Sequence, residues 1–395
     1  MILKHYFFLL LLCLSTSAFS QQTSLSEKAI VSVITCGAGQ DLYSSFGHSA
    51  FRVQDSALGI DWIYNYGTFD FDTPNFYMKF ARGKLLYSLS KQRFENFLYS
   101  YQLENRWVKE QILKLTPVEK NELFEFLENN YRPENRYYKY DFLFENCSTK
   151  MPDVLKEVLG KRLYFKEYDK AASFTFRELI HQNLKVNTWS SFGIDLALGA
   201  VIDKTATTEQ YMFLPFYVLR QLENSDLNGY PLVLRERTIL DYNTQNRGNY
   251  FTTSPLFWLL LLFLFTSTIT YIDLKNDSRS RFLDFILFLG TGLVGLLVFL
   301  LWFSTDHQAT ANNLNILWAF PMNLIAAFYL VRSFKMPNWL PTYFVSLMGL
   351  LLILALVWLF QFQDFSPLLV VVLATLGVRY AFLYYYFKKI DPYTP

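Results

Sequence analysis

The chain has few of the residues that hold metals or redox centres: four histidines and three cysteines in 395 residues. No metal or cofactor is expected. Charge of one sign is also missing, since the net charge is +2 and no basic stripe alternates with aromatics, so a nucleic-acid partner is excluded. No repeat and no low-complexity tract breaks the sequence. One cysteine, Cys13, lies in the apolar run Tyr6 to Leu14 and follows Leu12, not a small residue, so lipoprotein processing there is not expected. Lys4 and His5 precede that run, and Ala18-Phe19-Ser20 follows it with small-x-small spacing. Residues 1–20 therefore read as a secretory signal peptide.

Positive charge is missing again, selectively, from two loops of the C-terminal third. Five apolar stretches, Leu256 to Ile272, Phe282 to Phe303, Leu314 to Val331, Tyr343 to Phe360 and Leu368 to Phe387, each approach the length of a membrane crossing. The loops Ser304 to Asn313 and Gln361 to Pro367 carry no Lys or Arg. By contrast, Lys275, Arg279 and Arg281 follow the first stretch, Arg332 and Lys335 the third, and Lys388 and Lys389 the fifth. The positive-inside rule then puts the N-terminal domain outside and the C-terminus in the cytoplasm, in agreement with an export signal. The expectation is a multi-pass protein of a bacterial cytoplasmic (inner) membrane, with an extracytoplasmic domain over 21–250 and an all-α five-helix transmembrane bundle over 251–395. Arg379 reads as snorkelling toward the cytoplasmic face. His307, Asn313 and Asn315, near Trp318, Pro321 and Asn323, are polar groups at a costly depth. They either line an outward-facing lipid or substrate groove or hydrogen-bond between helices.

The stretch from Gln21 to Tyr250 has the composition of a globular domain and reads as α+β. Alternating runs predict strands at Ala29 to Cys36, His48 to Gln54 and Ile60 to Tyr66, the last two forming a hairpin over Asp55 to Gly59. Thr116-Pro117-Val118-Glu119 is a capping box with Pro in the first turn, so a helix should run from there to about Asn130. A second helix should start at Asn146-Cys147 and stop at Gly160. The aromatics Phe69, Phe71, Phe76, Tyr77 and Phe80 read as core.

A thiol at a helix start is favoured as thiolate, and the N–H groups of that turn can face an oxyanion. Cys147 is thus a candidate nucleophile with Asn146 and Ser148 beside it. Of the histidines beyond the signal, His48 follows Gly47 at the mouth of a strand and is the candidate base, while His181 reads as an exposed helical residue. Asn65 on the next strand, with Asp70 behind it, is the candidate orienting group. Two plainer readings stand beside these: a Cys36–Cys147 disulfide, which an exported chain permits, and a His48 satisfied within the core.

The order of strand histidine before helix cysteine resembles the circularly permuted papain-like enzymes, including the lecithin:retinol acyltransferase branch. The closer resemblance is to the bacterial lipoprotein N-acyltransferase Lnb family. It rests on Phe46-Gly47-His48-Ser49-Ala50-Phe51-Arg52-Val53, Tyr64-Asn65-Tyr66-Gly67-Thr68-Phe69-Asp70-Phe71 and Tyr140-Asp141-Phe142-Leu143-Phe144-Glu145-Asn146-Cys147-Ser148-Thr149. Thr305-Asp306-His307 and Asn313-Leu314-Asn315-Ile316-Leu317-Trp318 add to it. The resemblance implies a papain-like domain on five transmembrane helices, with a phospholipid as acyl donor and a diacylated lipoprotein as acceptor. Cys147 would carry the acyl group as a thioester, and His48 would be base and then acid. A peptidoglycan endopeptidase or amidase remains the enzymatic alternative, and would keep its activity when cut free before Pro255. An envelope sensor or scaffold remains the non-enzymatic one, and would tolerate Ser at 147.

Overall fold

The computed structural model describes residues 24–166, 173–242, 250–332 and 337–390. The signal peptide and Lys335 lie outside them. Strands β1 (Ile30–Cys36), β2 (His48–Asp55) and β3 (Ile60–Thr68) form an antiparallel meander in which Val33 pairs with Phe51 and Phe51 with Tyr64. All three strands agree with the alternation in the sequence. With β4 (Leu86–Arg93), β5 (Val108–Leu113), β6 (Tyr137–Lys139) and a late strand, β10 (Val233–Leu240), they make a seven-stranded sheet ordered β10-β5-β1-β2-β3-β4-β6. The short strands β7 (Leu163–Phe165), β8 (Ser225–Leu227) and β9 (Tyr230–Pro231) form a second, three-stranded sheet.

The central strands are buried on both faces because helices cover both. Helix α1 (Phe76–Ala81) follows β3 at one end of the sheet. Helix α2 (Phe94–Leu103) packs Phe94 and Phe97 against the face bearing Ile34, Ala50 and Ile63. On the other face, α3 (Pro117–Tyr131), α4 (Lys150–Leu159) and a later helix, α7 (Pro215–Glu223), surround Val33, Phe51 and Tyr64. The Thr116 capping box forms as expected, and Gly160 at φ 58° ends α4. Helices α5 (Phe176–His181) and α6 (Trp189–Ala197) make a smaller layer toward the membrane half.

In that half, α8 (Pro255–Lys275) and α9 (Arg281–Phe303) are followed by the short α10 (Asn323–Leu330), then by α11 (Leu340–Leu359) and α12 (Leu369–Tyr385). Among the described residues, four unbroken helices are each long and apolar enough to cross a membrane, and the third of the five expected spans is an interrupted one. The third stretch, Leu314 to Val331, is broken into the 3₁₀ turn Leu314–Leu317 and α10. It still runs beside α9 along its length. Asn323 donates to Thr291, a Cβ on Gly292 or Gly295 would strike the backbone of Leu324 or Ala319, and the Leu330 carbonyl accepts from Arg279. The reason for the break is lateral bonding: Pro321 lacks an N–H, and Asn315 bonds outward from the helix axis. Asn315 donates to the Asp195 carbonyl at 3.0 Å and accepts from Trp318 Nε1 at 2.9 Å, while Asn313 donates to the Leu196 carbonyl at 2.8 Å. Non-helical backbone is tolerated at such depth when protein covers it. These buried amides join the end of α6 to the bundle, so hydrogen bonding accounts for them where a groove had been an alternative.

Arg379 does not snorkel. It is fully buried in α12, with Nε 2.6 Å from Asp284 and Nη1 2.9 Å from Asp273, and Thr270 accepts from it at 3.0 Å. Arg279 closes the cluster on Asp284 at 2.9 Å. Two cations and two carboxylates satisfy one another between α8, α9 and α12, which lowers the cost of each charge away from water. Removing one partner strands the others. Arg379→Met should therefore destabilise the bundle by about 3–5 kcal/mol, and Arg379→Met with Asp273→Asn and Asp284→Asn should recover much of that. Thermal unfolding followed by size-exclusion chromatography in detergent reads both.

Candidate active site

Gly47 precedes β2 with φ +86°, and a Cβ there would lie 2.7 Å from the Cys36 carbonyl, so only glycine lets the chain turn into His48 beside β1. His48 Nε2 hydrogen-bonds Asn65 Oδ1 on the neighbouring strand, which leaves Nδ1 for the Cys147 sulfur. Between Asn65 and Thr68 the pairing of β3 with β4 slips, and Gly67 takes φ +85°. A Cβ on Gly67 would meet Cys147 Cβ at 3.4 Å, an ordinary contact, so the left-handed φ of the irregularity is what calls for glycine beside the cysteine.

Cys147 itself stands one turn before the regular part of α4, which begins at Lys150 and not at Asn146 as expected. The cause is the Asn146 side chain. Its Oδ1 accepts from the Ser148 N–H at 2.7 Å and the Thr149 N–H at 3.0 Å, and its Nδ2 donates to the Phe142 and Phe213 carbonyls at 2.7 and 2.8 Å. Asn146 is therefore a positioning residue for the loop. It also removes the Ser148 and Thr149 N–H groups from the candidate oxyanion donors, which leaves that of Cys147. Buried Ser148 places Oγ 3.8 Å from the sulfur.

Burial pushes the Cys147 thiol up. The facing His48 charge, its hydrogen bond, the Ser49 N–H and the Ser148 hydroxyl outweigh that and bring it from 9.0 down to about 7. Burial pushes His48 down, but the thiolate and the bonds to Cys147 and Asn65 hold it above its ordinary value. The pair thus favours thiolate and imidazolium, the activated form of a cysteine nucleophile. Both cysteines are free thiols, so the disulfide alternative does not hold, and burial raises Cys36 to about 12.

Asp70 does not stand behind Asn65; it is exposed and accepts from the Asp72 N–H at 2.9 Å. His307 Nε2 meets the Phe80 carbonyl at 3.2 Å, at the junction of the two halves. His181 is half-buried, not a free surface residue, and bonds Asp195 at 2.8 Å. Among the described residues no cluster of three or more His, Cys, Asp or Glu is placed to hold a metal. A cleft of about 1120 Å³ between Trp62, Lys91 and α3 does not include Cys147, so the chemistry is read from the thiol and its partners. Sequence reading passed over Tyr138. Its hydroxyl is buried near Gly67 and Cys147 and makes no hydrogen bond of ordinary geometry, a vacancy that appears only once β6 is laid beside β4.

A sheet domain bearing a Cys–His–Asn constellation, joined to an apolar helical bundle, defines a membrane protein with a candidate thiol site. Residues 16–182 match the family model of the Lnb N-terminal periplasmic domain, and residues 245–390 match that of the Lnb transmembrane domain. The chain belongs to the Lnb family, and is a lipoprotein N-acyltransferase-type membrane protein with a periplasmic N-terminal domain. No curated protein and no solved structure matches it.

Alkylation by iodoacetamide should report the pair directly. The Cys147 rate should rise through an inflection near pH 7, and His48→Ala should move that inflection above 9, because burial then acts on the thiol without the opposing cation. Cys36 should stay unreactive throughout, as judged by peptide mass.

Proposed function

We propose that this protein moves an acyl chain from a membrane phospholipid, through a thioester on Cys147, to the α-amine of a diacylglyceryl-cysteine at a lipoprotein N-terminus. The observation that carries the reading is the Cys147 thiol, brought to about 7 by a histidine that Asn65 holds in orientation. His48 takes the Sγ proton, and the thiolate adds to the ester carbonyl carbon of the donor. The carbon–oxygen bond breaks, and His48 returns the proton to the departing lysophospholipid hydroxyl. The acceptor amine then adds to the thioester carbonyl, His48 takes an amine proton, the carbon–sulfur bond breaks, and the thiol is restored. Negative charge on the carbonyl oxygen in both additions is met by the Cys147 N–H and the Tyr138 hydroxyl.

Acyl transfer is favoured over peptidoglycan cleavage because the periplasmic domain is hydrogen-bonded to the bundle through Asn313 and Asn315, as suits a substrate that lies in the bilayer. The basic residues Lys275, Arg279, Arg281, Arg332, Lys388 and Lys389 lie at the ends of segments remote from the sheet domain. This supports a cytoplasmic C-terminus in the inner membrane.

Cys147→Ala and His48→Ala should each lower transfer by about 10³-fold or more, and the double variant should lose little beyond either single one. Asn65→Ala should cost roughly 10- to 100-fold, since it frees the imidazole without removing it. Tyr138→Phe should lower kcat roughly 10²-fold and leave KM near its original value, as expected for a donor used only in the transition state. The assay is the mass of a lipoprotein N-terminal peptide, with di- and triacyl forms resolved. A hydroxylamine-labile acyl adduct on Cys147 is the expected intermediate. Normal triacylation by Cys147→Ala protein in cells without another N-acyltransferase would overturn the reading.

A further inference from the structure

The aromatic segment after β3 was expected in the core, and only part of it is there. Phe76 is buried, but Phe71 is 67% exposed, Tyr77 79% and Met78 62%. An exposed cluster of this kind calls for a partner, and its place in the fold says which. Helix α9 ends at Phe303 with Trp302 stacked on it at 4.6 Å, an aromatic pair of the kind that marks a membrane interface. Three residues on, the Asp306 N–H donates to the Arg82 carbonyl at 2.9 Å, and His307 packs on Gly83. Helix α1 is thereby tied at the level where α9 leaves the bilayer. Arg82 and Lys84 beside it are exposed, against the acids Asp70, Asp72 and Asp306.

A contiguous aromatic path leads inward from this surface. Phe71 meets Phe69 at 5.1 Å, Phe69 meets Tyr87 at 5.3 Å, and Tyr87 stacks on Tyr140 at 4.2 Å. Tyr138 and Tyr140 both pack on the cluster that holds Tyr87, and the Tyr138 hydroxyl lies beside the Gly67 that faces Cys147. The strand that carries Asn65 and Gly67 beside the thiol ends at Thr68, one residue before Phe69, so the surface follows directly from the strand that holds the orienting amide.

We infer that Phe71, Tyr77 and Met78 insert into the outer leaflet of the inner membrane, and that the Phe69–Tyr87–Tyr140 path guides the phospholipid acyl ester from that leaflet to Cys147. The guiding role rests on the acyl-transfer reading; the insertion does not. Aromatic and thioether side chains suit the boundary between headgroups and acyl chains, and Arg82 and Lys84 suit the phosphates above it.

Two measurements test this with the full chain in nanodiscs of phosphatidylethanolamine and phosphatidylglycerol. A nitroxide on Tyr77→Cys, in a Cys147→Ala background where buried Cys36 does not label, should be more accessible to oxygen than to a water-soluble nickel chelate. Accessibility matching an aqueous loop would overturn the insertion whatever the enzyme does. Next, Phe71→Ser/Tyr77→Ser/Met78→Ser should slow Cys147 acylation by bilayer phospholipid roughly tenfold or more, while acylation by p-nitrophenyl butyrate stays at the original rate. Equal loss with both donors would make the segment merely structural, and no loss with either would remove the path; both overturn the guiding role. Absence of phospholipid acylation in the unsubstituted protein, with insertion observed, would instead refute the acyl-transfer reading and the guiding role built on it, leaving the surface in place.

Discussion

The Asn146 side chain accepts from the Ser148 and Thr149 N–H groups and donates to the Phe142 and Phe213 carbonyls, and the geometry of the site depends on this clamp. Without it the loop before α4 would be free to extend the helix backward by a turn, and the sulfur would rotate away from His48. The clamp reaches Phe213, which is remote in sequence and lies in the layer that packs toward the bundle. Placement of the nucleophile is therefore tied to the packing of the domain on its membrane half. A single buried amide with all of its hydrogen-bonding capacity engaged is a stiff element, because losing any one bond leaves a polar group unpaired away from water.

On the opposite side of the sulfur, the constraint is backbone conformation. His48, Asn65 and Gly67 come from two adjacent strands, and Gly67 lies against Cys147. The slip after Asn65, with a glycine at positive φ, turns the backbone beside the cysteine and leaves the hydrophobic register of the rest of β3 undisturbed. The sheet thus supplies rigidity to the base and its orienting amide, and the loop supplies the nucleophile. On the proposed acyl-transfer reading, this division suits a thiol that would meet two large lipid-bearing substrates in turn.

What could be read from the sequence followed the range of the interactions. Period-two alternation located β1 to β3, and local chemistry located the ends of two helices at Thr116 and Gly160, because those signals act over a few residues. His48, Cys147 and Asn65 were visible as residue types in a pattern, and the structure brings them together. Most misreadings came from side-chain bonds that hydropathy and spacing do not reveal. Asn146 displaced the start of α4 by capping the Ser148 and Thr149 N–H groups while bonding across the fold to Phe213, Arg379 met carboxylates about a hundred residues earlier, and Pro321 with the neighbouring amides broke a stretch whose hydropathy alone resembled a helix. Phe71 and Tyr77 looked like core because a sequence does not state whether an apolar side chain faces protein or lipid.

The buried Arg379 cluster also bears on how the chain is made. Asp273 and Asp284 belong to the first two membrane segments, and Arg379 to the last one synthesised. Arg279, five residues before Asp284, can neutralise that carboxylate early, but the guanidinium that meets the Asp273 carboxylate belongs to the final segment. The first segment must then remain beside the insertion machinery, or in contact with water, while about a hundred further residues are translated. The bundle consequently closes late and as a unit, and a chain truncated before Arg379 would leave the Asp273 carboxylate without the guanidinium it meets in the full chain.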